Sequence, residues 1–350
     1  MPDSSHPEPV GAAAELAARV LRPAAARVDR YGMPKSHVDE LGRAGLLDLT
    51  VDTPAATVRA VQEVLAGACP VTWFVHAQHQ TVLDLLSAPG AQIPYRLRGA
   101  DRTRLAGIAS AQLAKLPDRP LTARATASGW ILDGTAPFYT GWGVTDVALL
   151  LAVDDSQQVV AALVPARQLP GLRAGPPMRL AALEGTGTVS LTCDGLAVPH
   201  ADVAAVGTVG QWREWSRARV LDAPPAVFGV AAAALALLES AADRLDDAAE
   251  LAERLRGRLD GLRGEAYALA DSGGDPARRL ALRGEATALL QTAAGAAAVA
   301  AGSAGLQDTH EAARLTRAAS FFLAQAQTGA VRGALLRAWS AGLPVAAQVV

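Results

Sequence analysis

SGWILDGTAPFYTGWGVTD, residues Ser128 to Asp146, is the stretch that decides the fold of this chain. The apolar run Trp130 to Leu132 predicts a short strand, Asp133-Gly134 predicts a tight turn, and Phe138 to Thr140 predicts a second extended piece. Together these signals predict a β-hairpin. The hydroxyl of Thr140 then lies between an aromatic pair and two glycines, where a flat ligand can approach the backbone; an ordinary turn in a β domain is the alternative interpretation.

Strand signals continue on both sides of this stretch. VALLLAV at 147–153 and VVAALV at 159–164 are apolar runs of strand length, and DDS at 154–156 predicts a turn between them. LAGIASA at 105–111 is the first strand-like run of the chain, and TGTVSLTCDGLAVP at 186–199 is the last. In that last run the apolar residues alternate and resume after a glycine, which indicates a strand with a bulge or turn. The middle third of the chain is therefore predicted to be a β domain.

Helical patterns flank the strands. Before them, apolar periodicity with Gly and Pro signals predicts helices at 12–28, 36–42, 56–66 and 71–86, with a restart at Pro23 and a cap at Ser36. After them, the same signals predict helices at 211–220, 225–246, 247–270, 276–301 and 310–339. This order predicts an α+β fold with an N-terminal helical domain at 1–104, a small β-barrel-like domain at 105–205 and a C-terminal helical bundle at 206–350.

Composition argues against several classes of function. A net charge of -2 and a pI near 6.3 give no basic field for nucleic acid. Cys69 and Cys193 lie far apart and outside any CxxC pattern, which argues against a disulfide framework and suits a reducing cytoplasm. The first residues, MPDSSHPEPV, predict no signal peptide because no basic segment precedes an apolar run. The most apolar window, 223–238, is shorter than the roughly 20 residues of a membrane span, so we expect a cytoplasmic protein that does not enter a membrane.

Direct searches for catalytic and metal motifs name no reaction. GxGxxG and GxxxxGK[ST] are absent from the sequence, which argues against a Rossmann or P-loop phosphate site. The run GSAG at 302–305 is not a GxSxG elbow, because Ala301 occupies the position two before the serine. His76 and His79 share a face of a predicted helix, but no further ligand motif accompanies them. We therefore expect no metal, and interpret the pair as packing or as a polar edge near a ligand channel.

Four segments, taken in order, carry a resemblance to a known family. They are VDELGRAGLLDL at 38–49, DGTAPFYTG within 123–146, EGTGTVSLTCDGLAVP at 184–199, and GSAGL at 302–306 followed by RLTRA at 314–318. In this order, on an α, β, α layout, they resemble the acyl-CoA dehydrogenase family of flavoproteins. The resemblance extends over most of the chain, from Val38 to Arg337, and implies the fold of that family.

The resemblance also implies a cofactor site. It implies FAD held between the β domain and the C-terminal bundle, commonly with a neighbouring subunit completing the site, and hence a homodimer or homotetramer. Thr140 falls on the family threonine that bonds the flavin ring near N5, and Phe138 on the tryptophan that flanks the ring. Ala109-Ser110-Ala111 falls on the strand end that lines the pyrimidine side, and Gly302 and Gly305 on glycines that admit the adenosine part. A flavin site needs such backbone donors, a hydroxyl near N5 and glycine clearance.

Three departures from the family pattern bear on activity. Gln112 stands where the family has an acidic residue, and no arginine of the RxxFG type that reaches the FAD pyrophosphate is found in 251–267. The family's catalytic glutamate removes a proton alpha to a thioester carbonyl. Its usual place, the YEGT passage of the family, reads Gln325-Ala326-Gln327-Thr328 here, and the alternative place falls near Ala218 and Arg219. An amide cannot accept that proton at neutral pH, so the catalytic residue is unassigned.

Three functions are consistent with these observations. The first is an FAD-dependent oxidoreductase that oxidises the CH–CH bond of an acyl thioester, or another small-molecule substrate, with hydride transfer to flavin N5 and an unidentified electron acceptor. The second is a flavin-dependent monooxygenase of the same fold, which needs no α-proton base; His76, His79 or Ser110 would then contact the substrate or the flavin. The third is a non-catalytic relative that acts as a partner subunit.

Overall fold

A computed structural model describes residues 8–47, 49, 52–87 and 104–342. The first seven residues, on which the absence of a leader was predicted, lie outside this part of the chain. Two compact units are present: Met1–Leu65 with Cys69–Glu214, and Ala66–Ala68 with Trp215–Val350. The first unit combines N-terminal helices with the β region. The division into three domains at 1–104, 105–205 and 206–350 stays a prediction.

The N-terminal helices match the predicted segments closely, with one change of cap and one change of geometry. The helices are α1 (Pro9–Leu16), α2 (Arg22–Tyr31), α3 (Lys35–Arg43), α4 (Ala55–Ala68) and α5 (Pro70–Leu86). A π-helical segment, Ala17–Leu21, joins α1 to α2, and the Arg22 N–H bonds Ala17 O five residues back. Pro23 follows at once and has no N–H for the regular ladder, which explains the irregular turn. The predicted cap Ser36 is wrong: Pro34 precedes α3, and no side chain caps it.

Eight strands form one sheet. They are β1 (Ala106–Ala109), β2 (Leu121–Thr126), β3 (Gly129–Tyr139), β4 (Val147–Val153), β5 (Gln158–Pro165), β6 (Leu172–Ala174), β7 (Val189–Pro199) and β8 (Val203–Thr208). The strand order is β6-β7-β3-β2-β4-β5-β8, and β1 pairs in parallel with β4. The predicted strands at 147–153 and 159–164, and the bulged last strand, are confirmed.

The predicted hairpin within 128–146 is wrong, because β3 runs through Asp133-Gly134 without a turn. The register against β7 shifts between Leu132 and Gly134, and the extra residue is in β7, where Asp194 and Gly195 lie opposite Asp133. Gly134 has a φ of +118°, and a Cβ there would lie 2.0 Å from Pro120 O. The Asp133 carboxylate accepts a hydrogen bond from the Gly195 N–H at 2.6 Å. Asp133-Gly134 thus lies inside β3, opposite a bulge of β7, and the true hairpin joins β2 to β3.

Alternation along the central strands builds a core on each face of the sheet. Every residue of β4 is buried. Leu150 belongs to a cluster that also receives side chains from β2, β3, β5, β6 and β7. Leu149 and Leu151 belong to the opposite cluster, together with Val82 of α5. Since strands from distant places in the order share one cluster, the sheet curls around it, as the β-barrel-like prediction requires.

The second unit is helical. Its elements are α6 (Val209–Leu221), which begins in the first unit, α7 (Pro225–Glu239), α8 (Asp246–Ser272), α9 (Pro276–Ala301), α10 (Glu311–Ala324) and α11 (Gly329–Gly342). The predicted helix at 225–246 ends early, at Glu239, where successive i→i+3 turns follow. The predicted helix at 310–339 is two helices, because the chain turns at Ala326, whose φ is +51°.

Two helical stretches in the described part of the chain, Val209–Glu239 and Pro276–Leu306, have the length and hydropathy of a membrane span. The first consists of α6 and α7, which are separated at Pro224. The second contains α9, which packs against α7, α8, α10 and α11. A helix at the centre of a bundle needs apolar residues on several sides, so packing within the unit accounts for this composition.

Candidate functional site

Two of the predicted site residues follow strand ends in the first unit. Thr140 directly follows β3 and is 6% exposed, while Ser110 directly follows β1 and is half-buried. The two strands are close, since a Cβ at Gly107 would lie 2.6 Å from the hydroxyl oxygen of Tyr139. Gly107 is therefore the residue that lets β1 pass the Tyr139 ring.

The loop after β3 is held by a buried tyrosine. The Tyr139 hydroxyl lies 2.7 Å from Thr145 Oγ1 and 3.2 Å from Val147 O, and the Thr145 hydroxyl donates to Gly141 O at 2.9 Å. The Trp142 ring meets the Tyr139 ring edge-on at 6.0 Å between centroids. Burial raises the pKa of Tyr139 well above its usual range. Tyr139 is thus a neutral support for the loop and not a base.

The hydroxyls of Thr140, Thr188 and Thr186 are linked in a row by hydrogen-bond contacts. Thr140 Oγ1 lies 3.1 Å from Thr188 Oγ1, and Thr188 Oγ1 lies 2.9 Å from Thr186 Oγ1. The Thr186 hydroxyl donates to Leu183 O at 2.8 Å. All three threonines are buried. Of the three, only Thr140 was predicted from the sequence; the signal that marks Thr186 and Thr188 is the TGT run just before β7.

Backbone hydrogen bonds fix the loop after β3 against the segment before β7. The Gly141 N–H donates to Thr186 O at 2.9 Å, and the Trp142 N–H donates to Gly187 O at 3.2 Å. Gly187 has a φ of +61°, and a Cβ there would lie 2.9 Å from Trp142 O. Only glycine allows this close approach without strain. The position of Thr140 over Thr188 is therefore set by backbone as well as by side chains.

The other predicted residues of the first unit lie around these strand ends. Ala109 is fully buried at the end of β1, and Phe138 is 51% exposed on β3. Ala111 begins a short 3-10 helix that contains Gln112. The Gln112 amide donates to Ala109 O at 3.0 Å and to Leu151 O at 2.7 Å, while its buried Oε1 has no partner in the described structure. The hydroxyl of Ser110 likewise makes no hydrogen bond among the described residues.

His76 and His79 are structural residues. The Nε2–H of His76 donates to Leu46 O and that of His79 to Leu47 O, both at 2.7 Å. Each Nδ1 accepts a hydrogen bond, from the Gln62 amide and from the Ala106 N–H respectively. Burial lowers the pKa of His76 to about 4. Both rings use both nitrogens, so this structure favours the packing interpretation over a ligand-channel edge or substrate contact.

Metal-ligating side chains do not gather elsewhere in the described residues. No group of three or more His, Cys, Asp or Glu side chains is close enough there to hold a metal ion. Cys193 is buried, and burial raises the pKa of its thiol to about 12. A thiol of this kind is a packing group and not a nucleophile at neutral pH.

The predicted glycines Gly302 and Gly305 lie in the second unit, in a 3-10 turn after α9. Gly302 has a φ of +58° and open space around its Cβ position. A Cβ at Gly305 would lie 3.0 Å from the Ala301 Cβ, so packing within this unit is enough to explain that glycine. Beside the turn is a pocket of about 290 Å³. Its walls are alanines and Leu237, with Ser240, Arg244 and His310 as the polar side chains.

The passage that corresponds to the catalytic glutamate of the family, residues 325–328, is also in the second unit. Gln327 lies between α10 and α11, and its amide donates to Phe322 O at 3.0 Å. Its buried Oε1 has no partner among the described residues. The other position, Ala218-Arg219, is exposed, and the Arg219 guanidinium lies 4.9 Å from the centre of the Trp215 ring. Neither position provides a carboxylate.

Helices followed by an eight-stranded curled sheet and a second set of helices define the acyl-CoA dehydrogenase fold, and solved structures of that fold match this chain. Acyl-CoA dehydrogenase from Geobacillus kaustophilus matches with a TM-score of 0.78 at 15% identity, over 96% of this chain and 98% of the other. Dibenzothiophene monooxygenase from Paenibacillus sp. A11-2, in a complex with FMN and indole, matches with a TM-score of 0.74 at 19% identity, over 96% and 97%.

An electron transferring flavoprotein of Acidaminococcus fermentans matches with a TM-score of 0.75 at 17% identity, over 96% of this chain and 99% of the other. No protein-family model and no curated protein sequence matches. The chain therefore has the acyl-CoA dehydrogenase fold. The predicted resemblance and the α+β fold class are confirmed at that level.

Proposed function

We propose that this protein is a flavin-dependent oxidoreductase in which the flavin ring lies against the ends of β1 and β3. The observation that carries this proposal is the buried Thr140 hydroxyl at the end of β3, held by Thr188 and by the backbone of the next segment. A fixed hydroxyl at this place is what a flavin needs beside N5. The fold, shared with acyl-CoA dehydrogenases and a monooxygenase, supports the same assignment.

The neighbouring residues fit the polar edge of a flavin. The buried Oε1 of Gln112 has no hydrogen-bond partner among the described residues, and a buried polar atom without a partner is costly. The pyrimidine part of a flavin carries both donors and acceptors that can satisfy such atoms. Phe138 is half exposed and offers an aromatic face. When bound, a flavin accepts hydride or activates oxygen, while the protein positions it and excludes water.

The choice between FAD and FMN is part of the proposal. The resemblance implies FAD, with Gly302 and Gly305 near its adenosine part. The missing RxxFG arginine and the FMN complex of the monooxygenase neighbour support FMN. We propose FAD first, and binding of each flavin to the purified protein decides.

The missing carboxylate bears on the choice between dehydrogenation and oxygenation. Removal of an α-proton from an acyl thioester needs a base, and a positioned base contributes about 10²- to 10⁴-fold. The passage at the usual base position, residues 325–328, has no carboxylate, and the amide of Gln327 within it donates to Phe322 O. Oxygenation needs no such base: one oxygen atom enters the product and the other leaves as water, with two electrons from a supplied reductant. We therefore propose oxygenation of a small molecule, with dehydrogenation of an acyl thioester as the second candidate because acyl-CoA dehydrogenases share the fold.

The proposal also covers the location, the oligomeric state and the redox partner of the protein. We propose a cytoplasmic homodimer or homotetramer, because the resemblance implies a flavin site completed by a neighbouring subunit. The electron acceptor or donor is unassigned. A non-catalytic partner subunit is the outcome that would replace this proposal if no flavin binds.

One experiment tests flavin binding and distinguishes the chemistries. The purified protein is loaded with FAD or FMN and mixed anaerobically with a panel of acyl thioesters, and separately with reductant, oxygen and aromatic or acyl acceptors. Flavin bleaching by a thioester without added reductant identifies a dehydrogenase, whereas incorporation of ¹⁸O from labelled oxygen identifies a monooxygenase. Thr140→Val should weaken binding of the reduced flavin, while Thr72→Val, at a buried threonine hydrogen-bonded to His37 and Cys69, should not.

A further inference from the structure

The hydrogen bonds that link Thr140, Thr188 and Thr186 all run in one direction, from donor to acceptor. A hydroxyl carries one hydrogen and can donate once. Three contacts of hydrogen-bond length involve Thr140, Thr188, Thr186 and Leu183 O, and a carbonyl oxygen only accepts. One assignment satisfies all three contacts: Thr186 donates to Leu183 O, Thr188 donates to Thr186, and Thr140 donates to Thr188.

The direction decides what Thr140 offers to a ligand. Its hydrogen is directed at Thr188, so Oγ1 presents lone pairs and acts as an acceptor. Reversing this requires Thr188 to donate to Thr140, which leaves two oxygens 2.9 Å apart without a hydrogen between Thr188 and Thr186. Thr186 would then have to turn away from Leu183 O and lose a buried hydrogen bond of 2.8 Å. The acceptor state of Thr140 is thus the lower in energy.

We propose that Thr186 and Thr188 are positioning residues that hold Thr140 as a hydrogen-bond acceptor and thereby favour the reduced flavin over the oxidised one. This inference rests on the proposed function. N5 of an oxidised flavin is an acceptor, whereas N5 of the two-electron reduced flavin carries a hydrogen and donates. An acceptor at Thr140 matches the reduced form and leaves the oxidised form without a donor at that atom.

The consequence is measurable as a reduction potential. Thr188→Val keeps the side-chain shape and removes the group that takes the Thr140 hydrogen, so Thr140 is freed to donate to N5 of the oxidised flavin. Thr186→Val removes the anchor and lets Thr188 donate to Thr140, which gives the same result. Each substitution should favour the oxidised form by about tenfold. For a two-electron couple this lowers the midpoint potential by about 30 mV.

The experiment uses the whole chain loaded with the flavin that it binds. Midpoint potentials are measured by equilibration with a reference dye for the wild type, Thr186→Val, Thr188→Val and Thr188→Ser, and the dissociation constant of the oxidised flavin is measured alongside. We expect both valine variants to show a lower potential and tighter binding of the oxidised form. Thr188→Ser should restore both values, because serine has the same hydroxyl. Thr72→Val, which removes a buried hydroxyl that is not linked to Thr140, Thr188 or Thr186, should match the wild type.

The outcomes separate this inference from the proposed function. A purely structural role for the threonines would weaken the binding of both flavin forms alike and leave the potential unchanged, and that result would overturn the inference while the flavin site stands. A rise of the potential in the valine variants would overturn it as well. Failure of the wild type to bind FAD or FMN would overturn the proposed function, and this inference with it.

Discussion

Protonation of His76 should destabilise the first unit as the pH falls. The ring is fully buried, and its two nitrogens are committed to Leu46 O and to the Gln62 amide. Burial lowers the pKa of His76 from 6.5 to about 4. Between pH 6.5 and about 4, His76 is therefore protonated in the unfolded chain and neutral in the folded chain. Stability from the neutral ring is complete above pH 6.5 and is lost as the pH falls towards 4.

The size of this effect follows from the shift. A difference of about 2.5 pKa units corresponds to about 3 kcal/mol of unfolding free energy, at about 1.4 kcal/mol per unit. A loss of this size is a large part of the stability of an ordinary domain. Carboxylates also titrate in this range, so the His76 contribution has to be isolated by comparison with a variant that lacks the ring.

The comparison uses His76→Gln, which keeps an N–H donor for Leu46 O and does not titrate. At pH 7.5 the variant should be less stable by about 1–3 kcal/mol, because Gln62 loses its acceptor. Urea unfolding followed by tryptophan fluorescence, at intervals from pH 7.5 to 4, should show the wild type losing its advantage. His200→Gln, at an exposed position, is the matched substitution control. Parallel loss of stability in the wild type and His76→Gln would refute the reasoning.

Three further predictions concern packing in the first unit, each measured as a change in thermal or urea unfolding. Leu150→Ala, at a fully buried position of β4, should cost about 2–5 kcal/mol, whereas Val206→Ala, at a position 48% exposed, should cost much less; equal losses would contradict the assigned core. Gly134→Ala should destabilise more than Gly143→Ala: both glycines have positive φ, but only at Gly134 would a Cβ meet backbone, at Pro120 O; similar losses would argue against this close approach. Tyr139→Phe should cost about 1–3 kcal/mol through its hydroxyl bonds, and an unchanged midpoint would mean that those bonds do not stabilise the loop.

Where a pattern had one local explanation, the sequence predicted the structure well. The apolar run at 147–153 is a strand buried on both faces, and the helix at 276–301 begins and ends as predicted. That helix has Asp275 capping its start, Pro276 at its first position and Gly302 just past its end, which are strong local signals. The order of these elements was enough for the fold.

Where tertiary contacts determine the backbone, the sequence misled. Asp133-Gly134 has the composition of a tight turn, but pairing with β2 and β7 keeps it inside β3, opposite a bulge of β7. The turn at Ala326 has no glycine or proline to mark it, so one helix was predicted where two exist.

Only part of the candidate site could be predicted from the sequence, for a similar reason. Thr140 could be selected from the resemblance, because it lies beside a recognisable aromatic and glycine pattern. Thr186 and Thr188 come from a segment more than forty residues later and reach Thr140 only through the pairing of β3 with β7. His76 and His79 looked like a polar face, and their partners Leu46 O, Leu47 O and Gln62 are invisible to helix periodicity.

The most direct test of the central claim is titration of the purified protein with FAD and with FMN, followed by visible absorbance and flavin fluorescence. The account predicts saturable, one-to-one binding of one of these flavins, with the reduced form bound more weakly by Thr140→Val than by the wild type and unchanged in Thr72→Val. Absence of binding by the wild type for both flavins would contradict the assignment. Binding of the reduced flavin that is indifferent to Thr140 would place the flavin elsewhere than at the end of β3.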